Sequence, residues 1–111
     1  QAVMVAEGTY GTVQKPGKER HMMMDAMAEV VALAEKENIQ VTGEDLQSYV
    51  DLVDTLNPEG MPSMRQDGLA HRRSEVEFFA GTVIRKAEKH GLDVPVNREL
   101  YQRITEMEKA Y

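Results

Sequence analysis

Pro62-Ser63-Met64-Arg65-Gln66-Asp67-Gly68-Leu69-Ala70-His71-Arg72-Arg73-Ser74-Glu75 is the stretch on which the fold turns. Ser63 and Gln66 have the spacing of a capping box, in which a hydroxyl and an amide side chain satisfy each other's backbone N–H groups. From there Leu69, Val76, Phe79, Val83 and Ala87 make an apolar stripe, which predicts one long helix from about Met64 to His90. Gly91 stands where a left-handed C-terminal cap falls, and Pro95 follows it. On one continuous helix the twelve residues from Ser63 to Glu75 span about 18 Å. That is too far for one small ligand; it suits an extended assembly of two bound molecules, or a Ser63 that sits on a loop folded back from the helix.

Downstream, Asn97 has the chemistry of an N-cap for a last helix with the stripe Leu100, Ile104, Met107 and Tyr111. Upstream, Thr42 and Asp45 form a second capping-box pattern. They open a helix with the stripe Leu46, Tyr49, Val50, Val53 and Leu56, which ends at Asn57-Pro58 and Gly60. A further helix is predicted from about Lys18 to Asn38, with Met23, Met27, Val30 and Ala34 on its inner face. Gly8, Gly11, Pro16 and Gly17 punctuate the start, which reads as irregular after a short apolar run, the tail of a helix. No run alternates with period two, so no strand is expected.

The composition fits this all-α reading. The chain has 111 residues, with 8 Met, 2 Phe and no Trp. Cores poor in aromatic and β-branched residues favour helices over sheets. The formal net charge of −6 argues against a nucleic-acid backbone as partner. The absence of cysteine excludes disulfides, thiol catalysis and Cys-ligated zinc, and favours the cytosol. No apolar run approaches the roughly 20 residues of a membrane span. The first residue is Gln rather than Met, as expected of a processed product or a fragment.

The stretch resembles the signature of the ketopantoate reductase C-terminal domain. That signature reads Ser-Met-x-Gln-Asp, then Glu after seven residues, with Arg three before the Glu and Gly six after it. Ser63, Met64, Gln66, Asp67, Arg72, Glu75 and Gly81 match it, and His90-Gly91-Leu92-Asp93-Val94-Pro95-Val96-Asn97 resembles the family's turn into its last helix. Glu44-Asp45-Leu46 and Ala28-Glu29-Val30 fall where the family places its earlier helices, so the likeness covers about Ala26 to Tyr111. It implies an all-α, bundle-like domain of the 6-phosphogluconate-dehydrogenase-C-terminal type, spanning residues 1–111 as one substrate and dimerisation domain. It implies a partner Rossmann domain on the N-terminal side, a homodimer and a cytoplasmic enzyme.

The family reduces 2-dehydropantoate with NADPH, a step of pantothenate biosynthesis. The resemblance implies that Ser63 binds the substrate and that Glu75 faces the cofactor and the catalytic lysine. No Lys-x-x-x-Asn precedes Gly8, so that lysine is expected upstream of Gln1, and NADP is expected to be held mainly by the absent domain. No Gly-x-Gly-x-x-Gly fingerprint follows a strand here. Gly60 stands where many relatives have a substrate-holding asparagine, which bears on the exact 2-oxoacid.

Simpler readings compete at each position. Ser63 with Gln66 is also a plain cap. Glu75 can be a solvated carboxylate paired with Arg72. Gly81 inside a helix points to a close helix crossing. His71 and Glu75 have the spacing to share a metal, but no third ligand is evident, so no metal is expected. His21 and His90 read as surface residues, and the Met22-Met23-Met24 run as gap filling. Glu7-Gly8-Thr9-Tyr10-Gly11-Thr12-Val13 resembles part of a protein-kinase glycine loop, but no other kinase motif follows, and it reads as a connector. The alternative for the whole chain is a stand-alone helical interaction or dimerisation module.

Overall fold

Helices joined by turns and short irregular segments make up the chain in the computed structural model, which describes all 111 residues and contains no strand. The order is α1 (Ala2–Ala6), α2 (Tyr10–Gln14), α3 (Lys18–Lys36), α4 (Gly43–Thr55) and α5 (Ser63–Leu69). A π-helical turn (Glu77–Gly81), α6 (Thr82–Lys89) and α7 (Pro95–Glu108) follow. No helix is long and apolar enough to cross a membrane.

The start of the chain is more regular than expected. α1 closes on Glu7 in the left-handed conformation, φ 53°, and α2 begins two residues after Gly8. α2 is stabilised from a distance. Its first free amides, Tyr10 N and Gly11 N, donate to the carbonyls of Gly60 and Pro58 at 2.9 and 2.8 Å. Helices of five residues leave no periodicity to read, and these partners lie nearly fifty positions away.

α3 and α4 form close to the expected bounds, but Val30 and Tyr49 of their predicted inner faces are exposed. Thr42 and Asp45 make both halves of the capping box, with Thr42 N to Asp45 Oδ2 at 2.9 Å and Asp45 N to Thr42 Oγ1 at 3.3 Å. Gln14 closes the other end of α4 by donating to the carbonyls of Val53 and Leu56, both at 2.8 Å. Arg20 on α3 reaches Asp54 at 2.7 and 2.9 Å and the Val13 carbonyl at 3.1 Å, tying α2, α3 and α4 together. That guanidinium holds the Asp54 carboxyl below the usual carboxylate range.

The single long helix expected from Met64 to His90 is overturned. α5 ends at Leu69, His71 adopts a left-handed φ of 54°, and residues 72–74 are non-helical before the chain winds into the π turn. The apolar stripe misleads because only Val76 and Ala87 of its members are buried. Leu69 and Phe79 are more than half exposed. The last helix starts at Pro95, and Gly91 takes the expected left-handed cap, φ 65°.

Asn97 is not the N-cap of α7. It lies inside the first turn, 2% exposed, and donates from Nδ2 to Glu29 Oε1 at 2.7 Å and to the Ala26 carbonyl at 3.2 Å. The cap comes from α3 instead. Glu29 accepts from Val96 N and Asn97 N, both at 2.8 Å, so one carboxylate satisfies two orphan amides and faces the positive end of the helix.

Apolar side chains gather in three clusters. The largest joins α1, α5, the π turn and α7 through Met4, Met64, Val76, Ala80, Leu100 and Ile104. A second joins α1 to α4 through Val3, Val13, Met23 and Val50, and a third holds Leu33, Ala87 and Val94. α1 and α5 touch closely, since a Cβ on Gly68 would stand 2.6 Å from Met4 Sδ.

The Glu29 cap generates a prediction. Glu29→Ala leaves two amides without an acceptor and takes from the buried Asn97 carboxamide one of its two, the Ala26 carbonyl remaining. Hydrogen bonds to charged groups contribute about 1.5–3 kcal/mol each, but shared losses are not additive. The variant should lose about 2 kcal/mol, which lowers Tm by roughly 10 °C in a domain of this size. A thermal melt checks it, with Glu29→Gln expected to fall between the two.

Candidate functional site

Ser63 is the first residue of α5, after Pro62 in an extended conformation. Its side chain is exposed and caps nothing. The Ser63–Gln66 capping box is therefore a correction. Gln66 Nε2 donates instead to the Met61 carbonyl at 3.0 Å, bracing the turn ahead of the helix. Arg65 fastens α5 to the end of α1, through the carbonyls of Glu7 at 3.2 Å and Gly8 at 3.3 Å. Gly60 lies against Tyr10, and a Cβ there would stand 3.2 Å from the ring and from the Asn57 carbonyl.

Between Ser63 and Glu75 the chain is held by its own last residues. The His71 ring stacks on Tyr111, centroids 5.1 Å apart and planes 7° from parallel. Tyr111 Oη donates to the Gly68 carbonyl at 3.4 Å. Ser74 donates from both N and Oγ to Glu108 Oε1, at 2.5 and 2.6 Å. Arg72 pairs with Asp67 at 3.2 Å rather than with Glu75.

Glu75 thereby ends up on the rim of the π turn. Its carboxylate is exposed and meets no donor within the chain. Its carbonyl accepts from Phe78 N and Phe79 N at 2.9 and 3.2 Å. Neither Ser63 nor Glu75 lines the apolar recess of about 210 Å³ between α3 and α4, which is bounded by Met27, Val31, Val41 and Leu46.

Next to Glu75 lies a polar group that the sequence reading passed over. Glu77 pairs with Arg85 at 2.9 Å and accepts a hydrogen bond from the Tyr101 hydroxyl. The Tyr101 hydroxyl, then Arg85, hold the Glu77 carboxyl below its usual range, and the same contact pushes Tyr101 up. Gly81 serves this pair rather than a helix crossing, since a Cβ there would stand 2.8 Å from Glu77 Oε2 and 3.1 Å from Arg85 Nη1. The one local signal was the spacing of Glu77, Gly81 and Arg85 at steps of four. Tyr101 and Glu108 lie too far along the chain for any spacing rule.

Known proteins resemble this chain along nearly its whole length. The profile of the family described as "Ketopantoate reductase PanE/ApbA C terminal" matches residues 2–108. A 2-dehydropantoate 2-reductase of Shigella flexneri is 35% identical over 98 residues, 86% of this chain and 32% of the relative. The dimeric ketopantoate reductase of Staphylococcus aureus superposes with TM-score 0.90 at 18% identity, over 98% of this chain and 38% of that one. A D-mandelate dehydrogenase solved with NADH and anilino(oxo)acetate superposes at 0.84 and 21% identity, over 97% of this chain and 46% of that one, and shares the fold. The chain thus spans about a third of the length of the curated relative it matches.

The clamp on residues 70–76 is testable. Glu108→Ala leaves the Ser74 amide without its acceptor. Exchange of that amide, followed by NMR, should accelerate about tenfold or more, while the Ile104 amide keeps its rate.

Proposed function

This chain belongs to the ketopantoate reductase PanE/ApbA C-terminal family, and from that premise we propose that it is the substrate-side domain of an NADPH-dependent reductase. The enzyme converts 2-dehydropantoate, or a closely similar 2-oxoacid, to the 2-hydroxy acid on the way to pantothenate. A Rossmann domain on the N-terminal side completes it and brings the dinucleotide fingerprint and the catalytic lysine.

One observation carries this reading. Arg65, Gln66, Asp67, Arg72 and Ser74 all spend their side chains on contacts within the chain. Ser63 and Glu75, at the two site positions of the same segment, spend theirs on none, as does the exposed Arg73 between them. Exposed polar groups that the fold leaves free, on a backbone it holds firmly, are what a binding site requires. The Ser63 hydroxyl can donate to a substrate carboxylate or to the 2-oxo oxygen. Glu75 is an acceptor, which fits ribose hydroxyls or a lysine ammonium. NADPH, when bound, supplies the hydride, and Glu75 is the residue of this chain that would hold it.

In the same reading the exposed apolar side chains of Ile39, Tyr49, Leu52 and Phe78 face the Rossmann domain or the second copy of a homodimer in the cytosol.

Three outcomes test the proposal. The 111-residue chain alone should oxidise no NADPH in the presence of 2-dehydropantoate. In the two-domain enzyme, Ser63→Ala should lower kcat/KM for the 2-oxoacid about ten- to hundredfold, the value of a hydrogen bond to a charged group. Glu75→Ala should raise the KM for NADPH or lower kcat, with little change in Tm. Variants that melt lower yet keep wild-type kinetics would make both residues structural.

A further inference from the structure

The π turn raises a question of its own. Regular helix would be cheaper, and π geometry survives where something holds it open, often beside a functional site. Here Gly81 N donates to the Val76 carbonyl at 3.0 Å, five residues back, and this bond marks the widened turn. The extra residue lets Val76 and Ala80 face one apolar cluster while Ala87, further along, faces another. If the turn tightened by one residue, everything before it would rotate by about 100° around the helix axis. Glu75 is the residue immediately before Val76.

The groups that keep the turn open are all in view. Arg85 grips Glu77 twice, by its carboxylate at 2.9 Å and by its carbonyl at 3.1 Å. Thr82 Oγ1 donates to the same carbonyl at 3.4 Å. Tyr101, reaching across from α7, donates to the other carboxylate oxygen. Gln1 Oε1 accepts from Ala80 N at 3.0 Å. An isolated surface ion pair contributes little, but here one carboxylate is shared by three elements and lies over a glycine that leaves room for it.

We propose that Glu77 is a positioning residue. Clamped by Arg85 and Tyr101 over the bare Cα of Gly81, it holds the π turn whose amides fix the Glu75 backbone, and so fixes where the Glu75 carboxylate stands. The positioning of Glu75 rests on the geometry above. Its value to the reaction rests on the reductase reading.

The test uses Glu77→Ala and Gly81→Ala. The second leaves every charge in place and displaces the clamp with one methyl group. In this chain, amide exchange at Phe78, Phe79 and Gly81 should accelerate about tenfold or more in both variants, while Val50 and Ile104 keep their rates. Unchanged exchange at the turn overturns the proposal. In the two-domain enzyme, Glu77→Ala should lower kcat/KM on its own but add nothing to Glu75→Ala, because it acts through that residue. Additive losses would mean that Glu77 only stabilises the fold, and would overturn the proposal as well. If Glu75→Ala itself leaves the kinetics unchanged, the reductase reading of Glu75 falls, and the exchange rates alone decide whether Glu77 holds the turn.

Discussion

A single carboxylate sets the position of α7, and α7 sets nearly everything else. Glu29 reaches from the middle of α3 to the first amides of α7 and to the buried carboxamide of Asn97. These bonds fix the start of a fourteen-residue helix in both position and rotation. From that anchored end Leu100 and Ile104 enter the largest apolar cluster, Tyr101 reaches Glu77, and Glu108 reaches Ser74. A small rotation of α7 at its first turn would move each of these contacts. The candidate site is therefore held by a helix that contributes neither of its two free side chains.

Much of the architecture was legible before any coordinates. Thr42 with Asp45, Pro58 after α4, and Gly91 with its left-handed φ are local devices, each readable within four residues. The break between α5 and the π turn was not legible, because its causes are distant. Ser74 is held by a residue 34 positions on, and His71 turns left-handed against Tyr111. Within the segment itself, Ser-x-x-Gln and a stripe of apolar residues looked like uninterrupted helix. Asn97 misled for a related reason. Its residue type favours caps, but its burial beside Glu29 made it a donor from inside the helix.

The candidate site was legible only as residue identity. The sequence singles out Ser63 and Glu75 but places them about 18 Å apart on a rigid rod. The fold breaks that rod, leaves both groups free of internal partners, and engages all but Arg73 of the polar residues between them. Nothing in local spacing announces that division. It depends on Asp67 taking Arg72, on Met61 taking Gln66 and on the end of α1 taking Arg65.

The close approach of α5 to α1 gives the core a chemical record of its own opening. Met4 is fully buried, with its sulfur packed against Gly68, and Met64 and Met23 are nearly so. Met22, Met24, Met27, Met61 and Met107 are partly exposed. Sulfoxide formation makes a thioether polar and larger, so it proceeds readily at the exposed set in the native state. At Met4 there is no room for the added oxygen, and peroxide gains access only when the α1–α5 contact parts. Oxidation of the buried methionines, unlike that of the partly exposed set, therefore reports the opening of the domain. An oxidised Met4 marks a molecule that has opened and can no longer close as it was.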